Sequence, residues 1–219
     1  MTVTGTQTVR DIITDALLDL EVGAIGQDAN ATLSAHAVRV LNRLMKSWQL
    51  DDAAPSFLRA GQTLTLTTAA SYSLLPERPI RILSARFERA GIETPMIRLT
   101  MDEYVNLPNK AATGIPTQYY YDRQADSGSL FYVWPVLAAP AGETVIITYE
   151  REFEDVGIND VIDLPGEWWD VAVLQLASRL VHAYGSEAAK ASIPMRAEMA
   201  LNKALGASVD GESVYWAHG

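Results

Sequence analysis

The stretch DLPGEWWDVAVLQLASRLVHAYG, Asp163 to Gly185, constrains the fold more than any other part of the chain. It reads as one helix with both ends marked. Pro165 suits a first helical position, where its missing N–H would be unpaired anyway; Glu167 puts a carboxylate in the first turn; Gly185 offers a left-handed stop. Trp168, Val171, Ala172, Leu174, Leu176, Ala177, Leu180, Val181 and Tyr184 cover more than a single apolar stripe, so the helix needs neighbours on most sides. Glu167, Asp170, Arg179 and His182 interrupt the run, which favours the centre of a helical bundle over a membrane span.

The remaining chain has to supply the partners. Val9, Ile12, Ile13, Ala16, Leu17 and Leu20 repeat at helical spacing behind Thr8, which with Asp11 three residues on resembles a capping box with the shorter acid, and Gly23 is a natural stop after about four turns. Leu33, Ala37, Val40, Leu41, Leu44, Met45 and Trp48 predict a second helix, begun near Asn30 or Thr32 and ended before Asp51-Asp52. The short link predicts an antiparallel hairpin whose apolar face the Asp163–Gly185 helix can bury.

Past Pro55 the period changes to two. Gln62 to Thr67, Ser71 to Leu74, Ile80 to Phe87, Met96 to Leu99, Thr117 to Asp122, Leu130 to Trp134 and Thr144 to Tyr149 read as short strands, with Ser127-Gly128 as a turn and Thr100 to Tyr104 as a brief capped helix. Glu150 to Asp163 is an acidic crossover. Ser186 caps a last helix that Pro194 should break or kink and Gly206 should end. The expected class is α+β: a helical bundle of N- and C-terminal helices with an inserted antiparallel β-sandwich or barrel-like domain. The expected parts are a helical hairpin over 1–55, the β-domain over 56–152, the returning helices over 153–207 and a docking tail over 208–219.

Composition narrows the chemistry. The 219 residues are 48% apolar and 20% charged, ordinary for a globular protein, and the formal net charge of −10 argues against a general grip on phosphates. There is no cysteine, and the opening MTVTGTQTVRDI has neither the basic nor the apolar region of a secretory leader. His36, His182 and His218 stand at no ligand spacing, and Glu150, Glu152, Glu154, Asp155, Asp160 and Asp163 lack the glycine-anchored order of a calcium loop. Those carboxylates read as a solvated face. No nucleophile elbow or phosphate loop is present, so no catalytic residue, metal or cofactor is expected.

Two features stand out. Asp11, Asp15 and Asp19 align on one helical face, where each like-charge i, i+4 pair costs on the order of 0.2–0.5 kcal/mol. The stripe is either a solvated surface or a channel or interface face that repels phosphates or meets a basic partner. Val214, Tyr215 and Trp216 place an aromatic pair near the end of the tail, where it either tucks onto its own bundle or reaches a neighbour.

The layout resembles the head-to-tail adaptor proteins of short-tailed phages. The matching residues are Leu41-Asn42-Arg43-Leu44-Met45-Lys46-Ser47-Trp48, then Gly114-Ile115-Pro116 followed by Tyr119-Tyr120-Tyr121-Asp122. Leu130 through Trp134-Pro135 follows, and then Leu164-Pro165-Gly166-Glu167-Trp168 leading to Leu176-Ala177 and Tyr184-Gly185. Leu137 stands where members often carry a second proline.

The resemblance implies a virion structural protein without enzymatic activity, assembled in the host cytoplasm as a dodecameric ring beneath the portal protein. Such a ring extends the DNA channel, lets DNA pass without tight binding, and offers a platform to the tail tube or nozzle protein. The C-terminal segment would reach the portal, giving Val214, Tyr215 and Trp216 an anchoring role. No membrane is implied. Because acidic subunits repel, ring contacts are expected on apolar or hydrogen-bonded surfaces of the bundle, with support from β-domain edges. The competing reading is a carbohydrate- or receptor-binding module using Tyr119, Tyr120, Tyr121, Tyr132 and Trp134, of which alternation allows about half to share a face. A carboxylate-pair hydrolase is a third, with no pair marked out by position.

Overall fold

The computed structural model describes residues 6–22, 30–49, 58–74, 78–123 and 129–208. Its helices are α1 (Val9–Asp19), α2 (Ala31–Trp48), α3 (Met101–Val105), α4 (Trp169–Tyr184) and α5 (Glu187–Ser208). Its strands are β1 (Arg59–Thr65), β2 (Ser71–Ser73), β3 (Arg81–Arg89), β4 (Ile92–Pro95), β5 (Ile97–Arg98), β6 (Gln118–Asp122), β7 (Leu130–Trp134) and β8 (Thr144–Glu150). The chain divides into two compact units, Met1–Phe57 with Phe153–Gly219, and Leu58–Glu152.

In the first unit α4 packs against α1, α2 and α5. Val171, Ala172, Leu176, Ala177, Leu180 and Val181 are its buried side chains, which is why a helix apolar on several sides is stable here. Trp168 closes one end of this core, its ring 5.5 Å from that of Trp48, which in turn meets Phe153 at 6.2 Å, both edge-on. Such edge-to-face pairs add roughly 0.5–1.5 kcal/mol beyond the area they bury.

Several ends differ from the sequence reading. Pro165 is extended (φ −60°, ψ 153°), a 3-10 turn covers Gly166–Trp168, and the α-helix starts only at Trp169. The Trp169 indole donates to Leu164 O at 3.1 Å, which ties the lead-in to the tightened first turn. Gly185 is extended at φ −76°, so it is no left-handed stop; a Cβ there would lie 2.7 Å from Val181 Cγ2. The glycine is needed for room.

Helix α1 is about three turns rather than four. Its box is formed: Thr8 N and Oγ1 donate to Asp11 Oδ2 at 2.9 and 2.7 Å, and Asp11 N donates to Thr8 Oγ1 at 3.3 Å. Its end is a Schellman motif, with Val22 N donating to Leu17 O and Glu21 N to Leu18 O, and Glu21 takes the left-handed φ of 60°. Gly23, Asp51-Asp52, Pro55, Ser127-Gly128 and His218 lie outside the described residues.

Pro194 does not break α5, and the helix runs past Gly206 to Ser208. Ile193, Ala197 and Ala204 are buried while Pro194 is exposed. Packing on α4 holds the helix together across the hydrogen bond that the proline cannot make.

In the second unit one sheet runs β1-β8-β3-β4 and the other β2-β7-β6-β5. Phe131, Val145 and Ile147 are fully buried in one cluster fed by both sheets, with Phe87, Tyr119 and Tyr121 beside them. This is a sandwich. The second sheet is mixed rather than antiparallel, because β5 pairs parallel with β6. Parallel neighbours need a crossover, and α3, capped by Thr100 and Glu103, lies within it. Strand β4 escaped the sequence reading. It returns on β3 through Ala90-Gly91, with φ 52° and 77°, the double positive φ of a tight hairpin.

Candidate assembly surfaces

The α1 stripe is one face, but its three acids do different work. Hydrogen bonds from the Thr8 side chain and then its backbone hold the Asp11 carboxyl below the usual range. Asp19 meets Arg196 of α5 at 3.3 Å. Asp15 is exposed, and partial burial followed by the fields of Asp11 and Asp19 pushes its carboxyl up.

Facing outward from α2 is a basic row that sequence reading missed: Arg39, Arg43 and Lys46, all exposed. Lys46 bridges Asp155 at 2.7 Å. Arg39, Asn42, Arg43 and Asp155 line an open recess of about 460 Å³. Helical spacing of 39, 43 and 46 was the available signal, hidden because the same segment was read for its apolar positions.

Glu154, Asp155, Asp160 and Asp163 of the acidic crossover are exposed, as a solvated face requires, while Glu150 and Glu152 depart from it. Glu150 is buried and takes a two-pronged contact from Arg81, while Glu152 accepts from Arg78 at 3.0 Å and Arg123 at 3.1 Å. Asp160 accepts from Gly157 N at 2.7 Å. Within the helical unit, Val9 N donates to Asp160 O and Ile162 N to Gln7 O, and the Asn42 side chain exchanges both hydrogen bonds with the Val156 backbone at 2.9 and 3.0 Å. These contacts stitch the crossover to α1 and α2. Among the described residues no group of three or more acids and histidines could hold a metal ion, and no helix is long and apolar enough to cross a membrane.

In the β unit, Tyr119 and Tyr121 point into the core while Tyr120, Tyr132 and Trp134 take the other face. That face is half-buried and in part occupied by the chain's own side chains. Tyr104 of α3 stacks on Tyr120 at 4.9 Å and leans on Tyr132 at 5.0 Å, and the Trp134 indole N–H is spent on Asn109 O at 3.0 Å. Exposed apolar side chains remain at Ile97, Met101, Val105 and Ile115 in this unit, and at Met195 and Met199 on α5. Val214, Tyr215 and Trp216 lie outside the described residues.

The described residues thus offer charged rows on the helical unit and exposed apolar side chains on each unit. A family model described as SU10 adaptor protein matches residues 7–217, and the chain belongs to that family. No curated protein matches. Among solved structures, a chain from the neck of an empty GTA particle, described with C6 symmetry, is similar at 16% identity over 84% of each chain, with a TM-score of 0.29.

Proposed function

We propose that this chain is the head-to-tail adaptor of a short-tailed phage: a structural, non-catalytic subunit that forms a ring beneath the portal. The ring extends the DNA channel and gives the tail tube or nozzle its seat. The observation that carries this reading is the adaptor-family match along residues 7–217. The charge of −10 supports it, because a duplex slides best past a wall that does not grip phosphates. Val214, Tyr215 and Trp216 act as the portal anchor, an aromatic pair whose rings supply large contact area for little ordering cost.

The test is mass in solution of the full chain and of a chain ended after Asp210, each with and without the candidate portal. The full chain is expected to join the portal in a ring. The shortened chain should stay folded and bind at least tenfold more weakly. Equal binding removes the anchor; a full chain that ignores the portal yet binds glycans overturns the adaptor reading.

A further inference from the structure

Two helices of the same compact unit present opposite charge to solvent. On α2 the row Arg39, Arg43, Lys46 spans about 10 Å at the helical rise. Lys46 is held by Asp155, and neither arginine has an ion-pair partner among the described residues. On α1 the row Asp11, Asp15, Asp19 spans about 12 Å. Asp11 serves the cap, Asp19 meets Arg196, and Asp15 is left without a partner among the described residues. Each row is mildly unfavourable alone, since like charges one turn apart repel.

We infer that the Arg39–Arg43 face of α2 receives the Asp15-centred face of α1 from a second copy of the chain, head to tail. The inference rests on the ring reading above. Two different patches on one subunit are what a heterologous contact requires: each union leaves one free patch at either end, so the contact repeats until the ring closes. The rows match in length and oppose in sign, and a guanidinium fork fits a carboxylate with two parallel bonds. Subunits that repel through a charge of −10 would thus gain attraction where they touch, beside the apolar or hydrogen-bonded contacts expected from the sequence. A phosphate row suits the α2 face less well, because Asp155 lines the same recess.

The full-length Arg43→Glu and Asp15→Lys chains test this, each alone and mixed in equal amounts, with and without the candidate portal, by mass in solution. Circular dichroism establishes that each is folded. Each single variant is expected to need at least tenfold more protein to assemble. The mixture should assemble like the original chain, because every contact is then either native or charge-swapped. Added salt should weaken the original chain in the same direction.

Single variants that assemble normally overturn the inference while leaving the ring reading in place. So does a mixture of folded variants that stays apart, or an Arg43→Glu chain whose only loss is DNA binding. An original chain that stays monomeric with and without the portal overturns the ring reading, and this contact with it.

Discussion

Asp15 has an acid one turn before it and another one turn after, and its carboxyl is pushed up by partial burial and by both neighbours. A folded pKa above the ordinary value means the ionised form weakens the fold, and the penalty fades as pH falls through that raised value. Asp15→Asn should therefore stabilise the monomer by no more than a few tenths of a kcal/mol at neutral pH, solvent screening the repulsion at this exposed site, with the gain shrinking in acid. Urea midpoints at neutral and acid pH measure it. Asp11 has the opposite sign: its depressed carboxyl contributes stability above the ordinary value and loses it as pH falls through the lower folded one. Asn42→Ala should cost about 1–3 kcal/mol in the same assay, because the N–H and C=O of Val156 lose their partner. The cap at Thr8 was legible because both its members lie within one turn. The role of Asn42 was not, since its partner is 114 residues away.

Elements follow the same division between local and distant causes. The caps of α1 at Thr8 and α3 at Thr100 are short-range chemistry that the sequence was enough to place, while for α2 it left Asn30 and Thr32 open and the structure selects Asn30. Helix α5 is not, because the proline rule looks at one turn whereas Ile193, Ala197 and Ala204 pack along the length of the helix. Pro194→Ala should restore a donor to the Lys190 carbonyl and raise stability by about 1–3 kcal/mol, read as a higher thermal midpoint by circular dichroism. A lower midpoint would mean that the proline fits its neighbours better than a regular turn does. The candidate surfaces were half legible. The acidic row showed itself because aspartates are poor helix formers at helical spacing, while arginines at the same spacing look ordinary in any exposed helix.

At the scale of the whole chain, the change from helical period to alternation after Pro55 announces an α+β protein, and register explains how a sheet unit is spliced into a helical one. Strand β1 opens the Leu58–Glu152 unit and β8 closes it, and the two are neighbours, with Arg59 opposite Glu150. Arg151 N donates to Leu58 O at 2.9 Å, so entry and exit lie one hydrogen bond apart. Glu150, 5% exposed, takes the fork of Arg81 at this seam, which pins the third strand of the sheet to the same point. A unit whose ends already meet costs its host little loop-closure entropy and needs no host to hold it shut. Residues 58–152 expressed alone should therefore melt cooperatively, and a chain in which they are replaced by a short Gly/Ser loop should keep the helical bundle. Because the opposed α1 and α2 rows lie in that bundle, the loop-replaced chain should also self-associate with the salt dependence of the full chain. An isolated β unit without a cooperative transition, or a shortened bundle that is folded yet indifferent to salt, would each break one link of this argument: the first the autonomy of the insert, the second the assignment of assembly to the helices.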